Sequence, residues 1–221
     1  MWIKICANTS LEDSLEAVAL GADALGFVFA PSPRQVTATQ VRAIVDKLPR
    51  EAEIVGVFTT RDADEIVAAA THAGLRAVQL HGGVDMAFAA ALQRMLPESV
   101  RIIQTLHWTV GADSESEALV RQQMQLLVHA QPDARVLVDA KVGTLAGGSG
   151  RHFDWAAAAP VLRSQPALRV IVAGGLQPEN VTDAVRRLAP WGVDVASGVE
   201  QTPGKKDFSK LRLFMENARR A

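Results

Sequence analysis

Apolar positions along the chain fall into two alternating kinds of run. Short stretches dominated by apolar residues, many of them Val, Ile, Phe or Ala, occupy 2–6, 24–29, 53–58, 77–80, 101–106, 135–139, 169–173 and 193–196. Such runs predict strands buried on both faces. Between them lie segments with apolar residues at helical spacing, at 11–20, 39–48, 63–73, 86–95, 115–130, 155–162, 179–188 and 208–219. In the first of these, Leu11, Leu15, Val18 and Ala19 line one side. Ser10 is placed to cap that helix, Asp154 to cap the sixth, and Pro178 with Glu179 suits the first turn of the seventh.

Eight β-then-α units without a linker or low-complexity segment have two common solutions, an open doubly wound sheet or a closed barrel. Each unit spans about 25–30 residues, which suits the short crossovers of a barrel. The pattern predicts an α/β fold, a single (β/α)8 TIM barrel, with residues 1–221 forming one domain. At 221 residues the chain is close to the shortest that can close eight such units. A barrel also fixes where chemistry belongs, at strand C-termini and the loops that follow them.

Charge and cysteine content narrow the function. A formal net charge of -1 gives no electrostatic basis for binding nucleic acid or an anionic membrane, so any anion site must be local. The N-terminus lacks the signature of a signal peptide, and no apolar run reaches the length of a membrane span. The one cysteine excludes an intramolecular disulfide, and a reducing, cytoplasmic setting is expected. The five histidines show no metal-ligand spacing, and no metal site is predicted.

Several polar residues stand at predicted strand ends. Cys6 closes the first strand, and Lys4, two residues earlier, shares its face, where its charge would lower the thiol pKa. A small buried hydrophobe is the alternative role for Cys6. Asp139 ends the sixth strand, where burial would raise its pKa and suit it to act as a general acid. The alternative is a loop-ordering carboxylate. Small-residue turns follow the last three strands: Gly147-Gly148-Ser149-Gly150, Gly174-Gly175 and Ser197-Gly198. Turns of this kind expose backbone amides to a phosphate. Arg34 lies in the proline-stiffened loop after the second strand, able to pair with a carboxylate, and His81 follows the fourth strand.

Taken in order, these segments resemble phosphoribosylanthranilate isomerase, the Amadori-type isomerase of tryptophan biosynthesis. The motifs carrying the resemblance begin with Lys4-Ile5-Cys6, Gly21-Ala22-Asp23-Ala24-Leu25-Gly26-Phe27-Val28-Phe29, Ser32-Pro33-Arg34 and Gln79-Leu80-His81-Gly82. They continue with Asp139-Ala140-Lys141, Gly148-Ser149-Gly150, Ala173-Gly174-Gly175-Leu176, Val193-Asp194-Val195, and Ser197-Gly198-Val199-Glu200 ahead of Pro203-Gly204 and Lys206-Asp207. The resemblance implies that Cys6 is the general base, Asp139 the general acid, and Arg34 a holder of the anthranilate carboxylate. It implies phosphate binding at Gly174, Gly175, Ser197 and Gly198, with Gly148 close by. A small phosphoribosyl substrate, no cofactor, and a monomer or homodimer are expected. The chain departs from the family pattern at Ala7, where a glycine is usual, and at Arg151-His152, where Lys-Thr is usual. The sister isomerase of histidine biosynthesis resembles two aspartates in the two catalytic positions, so Cys6 argues against it. Indole-glycerol-phosphate synthase would need a lysine-centred site. A non-catalytic sugar-phosphate binder would have no need of Cys6, Asp139 and Arg34 together.

Overall fold

The computed structural model describes residues 1–49, 51–142, 145–146 and 153–221. Eight parallel strands form a closed barrel: β1 (Trp2–Ile5), β2 (Ala24–Val28), β3 (Glu53–Phe58), β4 (Ala77–Leu80), β5 (Arg101–Thr109), β6 (Arg135–Val142), β7 (Arg169–Val172) and β8 (Gly192–Val195). Each pairs with its sequence neighbours, and β1 pairs with β8 to close the ring. Eight helices alternate with them: α1 (Leu11–Ala19), α2 (Ala38–Val45), α3 (Ala63–Ala73), α4 (Met86–Met95), α5 (Asp113–Ala130), α6 (Trp155–Leu162), α7 (Val181–Leu188) and α8 (Phe208–Arg220).

Two apolar layers follow from the period-two alternation of strand side chains. The larger lies between strands and helices, with Ile3, Leu25, Ile54, Val78, Val136 and Val170 packed under helical residues such as Ile66, Val120 and Phe214. The smaller packs Ala24, Val55, Ala77, Ile103, Leu137 and Ile171 across the barrel interior over Trp2 and Trp191. The barrel is therefore a filled core with its working surface at the strand C-termini.

Local signals set the helix starts. Ser10 and Asp154 accept hydrogen bonds from the first-turn amides of α1 and α6. Thr37 and Gln40 form a reciprocal capping box at α2. The seventh helix starts later than its sequence predicts, at Val181. The Asn180 side chain accepts from the Gln177 amide (2.9 Å) and donates to the Gly175 carbonyl (2.9 Å), which holds Pro178 and Glu179 in a turn. Strands β5 and β6 also run further than predicted. Their register continues through His107↔Asp139, Trp108↔Ala140 and Thr109↔Lys141, which carries His107 up beside Asp139.

Candidate active site

Cys6 sits just beyond β1, its amide bonded to the Val195 carbonyl of β8 (2.8 Å) and its side chain at the rim of the interior. The space for its sulfur is made by Gly26, where a Cβ would lie 2.6 Å from Sγ. Ala7 takes a left-handed backbone conformation, φ 62°, at the position where the family pattern has glycine. Buried Asn8 holds that turn by donating from Nδ2 to the Ile5 and Gly26 carbonyls at 2.7 and 3.2 Å. The thiol is thus presented by the turn that a glycine would form, with backbone strain balanced by Asn8.

Lys4 and Asp194 are register partners on β1 and β8 and form a buried ion pair of 2.9 Å. Burial alone would discharge Lys4, but Asp194 and Cys6 outweigh it and its pKa is raised. The expected lowering of the thiol pKa is corrected by this arrangement. Burial pushes the Cys6 thiol up, Lys4 offsets only part of that, and Asp194 adds to it. The sequence places the lysine correctly; the partner that engages its charge lies 190 residues away.

Asp139 is buried within β6, and desolvation followed by the charge of Asp194 raises its pKa to about 7, against the pull of the Ala140 amide and Lys4. Near neutrality this carboxyl exists as both acid and base. His81 Nε2 lies 3.5 Å from its Oδ2, and burial, then His107 and Lys4, lowers the His81 pKa to about 4, so the imidazole is neutral. His107 packs edge-on against His81. Spacing in the sequence offers no metal motif, yet the barrel brings ligand atoms of His81, His107 and Asp139 within 4.8 Å of one another.

Arg34 reaches inward from the loop after β2 and meets Glu200 through a forked pair of bonds, Nε to Oε1 at 2.9 Å and Nη2 to Oε2 at 2.7 Å. Glu200 opens a short antiparallel hairpin, Glu200–Thr202 with Lys205–Lys206. It also accepts from the Gly204 amide at 3.2 Å and lies 3.6 Å from Lys206 Nζ. Burial would favour the neutral acid, but Arg34 and Lys206 hold the Glu200 carboxyl below its usual value. Lys206, itself buried, donates to the Cys6 carbonyl. One hairpin thereby fastens both the arginine loop and the thiol-bearing turn. Sequence reading missed Glu200, Lys206 and Asp194 as site residues, although the motifs Ser197-Gly198-Val199-Glu200, Lys206-Asp207 and Val193-Asp194-Val195 contained them.

The turns after β7 and β8 lie against each other. Gly174 and Gly175 both have positive φ, and a Cβ on Gly174 would come within 2.8 Å of Asp139 Oδ1. A Cβ on Gly198 would collide with the Leu176 carbonyl oxygen. Ser197 opens a single 3-10 turn, Ser197–Val199. Gly148 and its neighbours in the Gly147-Gly148-Ser149-Gly150 loop, with Arg151-His152, lie outside the described residues. A cavity of about 630 Å³ opens instead at the opposite, N-terminal floor, beside Trp2, Glu53, Arg135, Arg169 and Trp191. It is remote from Cys6 and Asp139, and strand direction rather than cavity size locates the working face of a barrel.

Comparison with known proteins agrees with this geometry. The sequence profile described as N-(5'phosphoribosyl)anthranilate (PRA) isomerase matches residues 3–217. N-(5'-phosphoribosyl)anthranilate isomerase of Geobacter sp. (strain M21) is 38% identical over 222 residues, covering 99% of this chain and 98% of its own. The crystal structure of phosphoribosyl anthranilate isomerase from Thermotoga maritima superposes with TM-score 0.84 at 32% identity, covering 100% of both chains. A phosphoribosyl anthranilate isomerase in complex with reduced 1-(o-carboxyphenylamino)-1-deoxyribulose 5-phosphate superposes with TM-score 0.81 at 31% identity, again over 100% of both chains.

Proposed function

The chain belongs to the N-(5'-phosphoribosyl)anthranilate isomerase family, and from that premise we propose that Cys6 and Asp139 are its general base and general acid. The reaction is the Amadori rearrangement of N-(5-phosphoribosyl)anthranilate to 1-(2-carboxyphenylamino)-1-deoxyribulose 5-phosphate, a step of tryptophan biosynthesis. The observation that carries the residue assignment is a buried carboxyl and a buried thiol on the same barrel mouth, both beside Lys4 and Asp194, with burial raising the Asp139 pKa to about 7.

Protonated Asp139 delivers its proton to the furanose ring oxygen as the C1′–O bond breaks and the anilino nitrogen lone pair forms the iminium. The iminium acidifies C2′–H, which Cys6 removes in its minor thiolate form, the form that Lys4 favours against burial and Asp194, leaving the enolamine and a neutral thiol. Tautomerisation of the enolamine gives the ketone. Each proton transfer of this kind contributes about 10²–10⁴-fold to the rate. The Arg34–Glu200 fork occupies Nε and one face of Nη2. Among the described residues nothing else bonds the Arg34 guanidinium, so its Nη1–Nη2 edge can receive the substrate carboxylate in a second forked pair. The Gly174-Gly175 and Ser197-Gly198 turns supply amides for the phosphate, anchoring the sugar away from the reacting bonds, and Gly148 is assigned to the same substrate site. No helix among the described residues is long and apolar enough to cross a membrane. The protein acts in the cytoplasm as a monomer or homodimer on this reading.

Loss of anthranilate-type fluorescence from freshly generated phosphoribosylanthranilate tests the assignment. Cys6→Ala and Asp139→Asn are each expected to lower turnover by at least about 10²-fold with native circular dichroism retained. Parental rates in either purified variant would remove the role given to that residue.

A further inference from the structure

We propose that His81, His107 and Asp139 form a site for a divalent transition metal of the zinc class, and that its occupancy holds the Asp139 carboxylate out of turnover. The site rests on geometry alone; only its effect on turnover rests on Asp139 being the acid. The three side chains come from the C-terminal ends of β4, β5 and β6, and their ligand atoms lie within 4.8 Å of one another. His81 Nε2 and Asp139 Oδ2 are 3.5 Å apart. Two ligands on a tetrahedral zinc ion, at bond lengths of about 2.0–2.1 Å, stand about 3.3–3.5 Å apart. This edge of the site is therefore formed at the right length before any ion enters.

The groups behind the ligands match what a metal site needs. His107 Nε2 lies 3.1 Å from the His81 carbonyl oxygen, which can only accept, so Nε2 carries the proton and the lone pair is on Nδ1. A ring nitrogen donating to a backbone carbonyl is the usual way a ligating histidine is oriented. Gln79 stands behind His81, its amide nitrogen 3.4 Å from His81 Nδ1. Its buried Oε1 has no hydrogen-bond partner among the described residues. Turning the Gln79 amide over brings Oε1 to Nδ1–H, satisfying the orphaned acceptor and leaving the Nε2 lone pair facing Asp139. The metal-bound tautomer is thus the one in which the buried Gln79 Oε1 gains a donor. Two imidazoles and one carboxylate select zinc, copper or nickel over magnesium and calcium. The fourth position remains open to water.

Cobalt(II), added to the full-length protein after chelator treatment, reports the site through the visible absorption of a tetrahedral ion, and zinc(II) should bleach it. We expect one cobalt per chain, parental binding in Cys6→Ala, and weakening by about 10–100-fold in Gln79→Met. His107→Gln should weaken binding further still, and zinc should suppress turnover over the concentrations that fill the site, with chelator restoring it. Absence of the cobalt spectrum, equal affinity in His107→Gln, or a sulfur-to-cobalt charge-transfer band would overturn the site. Cobalt and zinc bound as expected with turnover undiminished would instead overturn the inhibition, and with it the acid role of Asp139.

Discussion

At Asp139, stability and the proposed acid role pull in opposite directions. Below about pH 4 the carboxyl is protonated in both the folded and the unfolded chain, and its burial costs little. As pH rises from the ordinary 3.8 towards about 7, the unfolded chain releases its proton first, so folding stability falls. Above the folded value the deficit is constant, and the interval corresponds to about 4 kcal/mol. Asp139→Asn is therefore expected to be more stable than the parent at about pH 8 by up to that amount, and scarcely more stable near about pH 4. Urea unfolding at both values checks it; an equal difference at the two pH values would remove burial of the ionised carboxylate as the cause. The position of this aspartate was legible because a carboxylate ending an apolar run is conspicuous. The sign of the Cys6 shift was not legible, since it depends first on how deeply the thiol is buried and then on Asp194, which engages Lys4 from the far end of the chain. Ala7 lies between these cases. The sequence locates the departure from glycine, but only Asn8 and its two carbonyl partners reveal how a left-handed alanine is held, at a local cost of about 1–2 kcal/mol.

At the scale of elements, all eight strands and eight helices were visible in the hydrophobic pattern, and their ends were less so. The prediction ends β5 at 106, whereas the backbone register continues to Thr109. His107 and Thr109 are polar enough to read as loop, and only pairing with β6 shows that they extend the strand. The Glu200–Lys206 hairpin was invisible for a similar reason, being too short to carry a period. It nevertheless determines how Arg34 is aimed. Glu200→Gln keeps the shape of the side chain but removes the charge that holds the fork, and loss of a charge-assisted bond is worth about 1.5–3 kcal/mol. We expect KM for phosphoribosylanthranilate to rise by about tenfold or more, with kcat changed far less. A fall in kcat with KM unmoved would show that Glu200 acts on the chemistry instead of on the arginine.

At the scale of the molecule, the barrel depends on joining the first strand to the last. The β1–β8 ladder does this inside, and α8 reinforces it outside, where Arg219 donates to the Gly21 carbonyl and the Asp23 carboxylate, each at 2.8 Å. Asp23 in turn accepts from the Ile3 amide of β1 at 2.8 Å. Arg219→Ala is expected to lower stability by about 1 kcal/mol, since these bonds are charged but partly exposed to water. Thermal melts of the parent and variant decide this, and identical Tm values would remove the clasp. The floor of the barrel supplies the readout. Trp2 and Trp191 stack there at 5.2 Å between ring centroids, one leading β1 and the other standing just before β8. Two indoles held that close act as coupled chromophores, giving a paired exciton dichroism signal from their strong far-ultraviolet transition that exists only while the first and last strands are together. The protein thus contains a built-in optical gauge of ring closure, able to separate opening of the seam from melting of the helices around it.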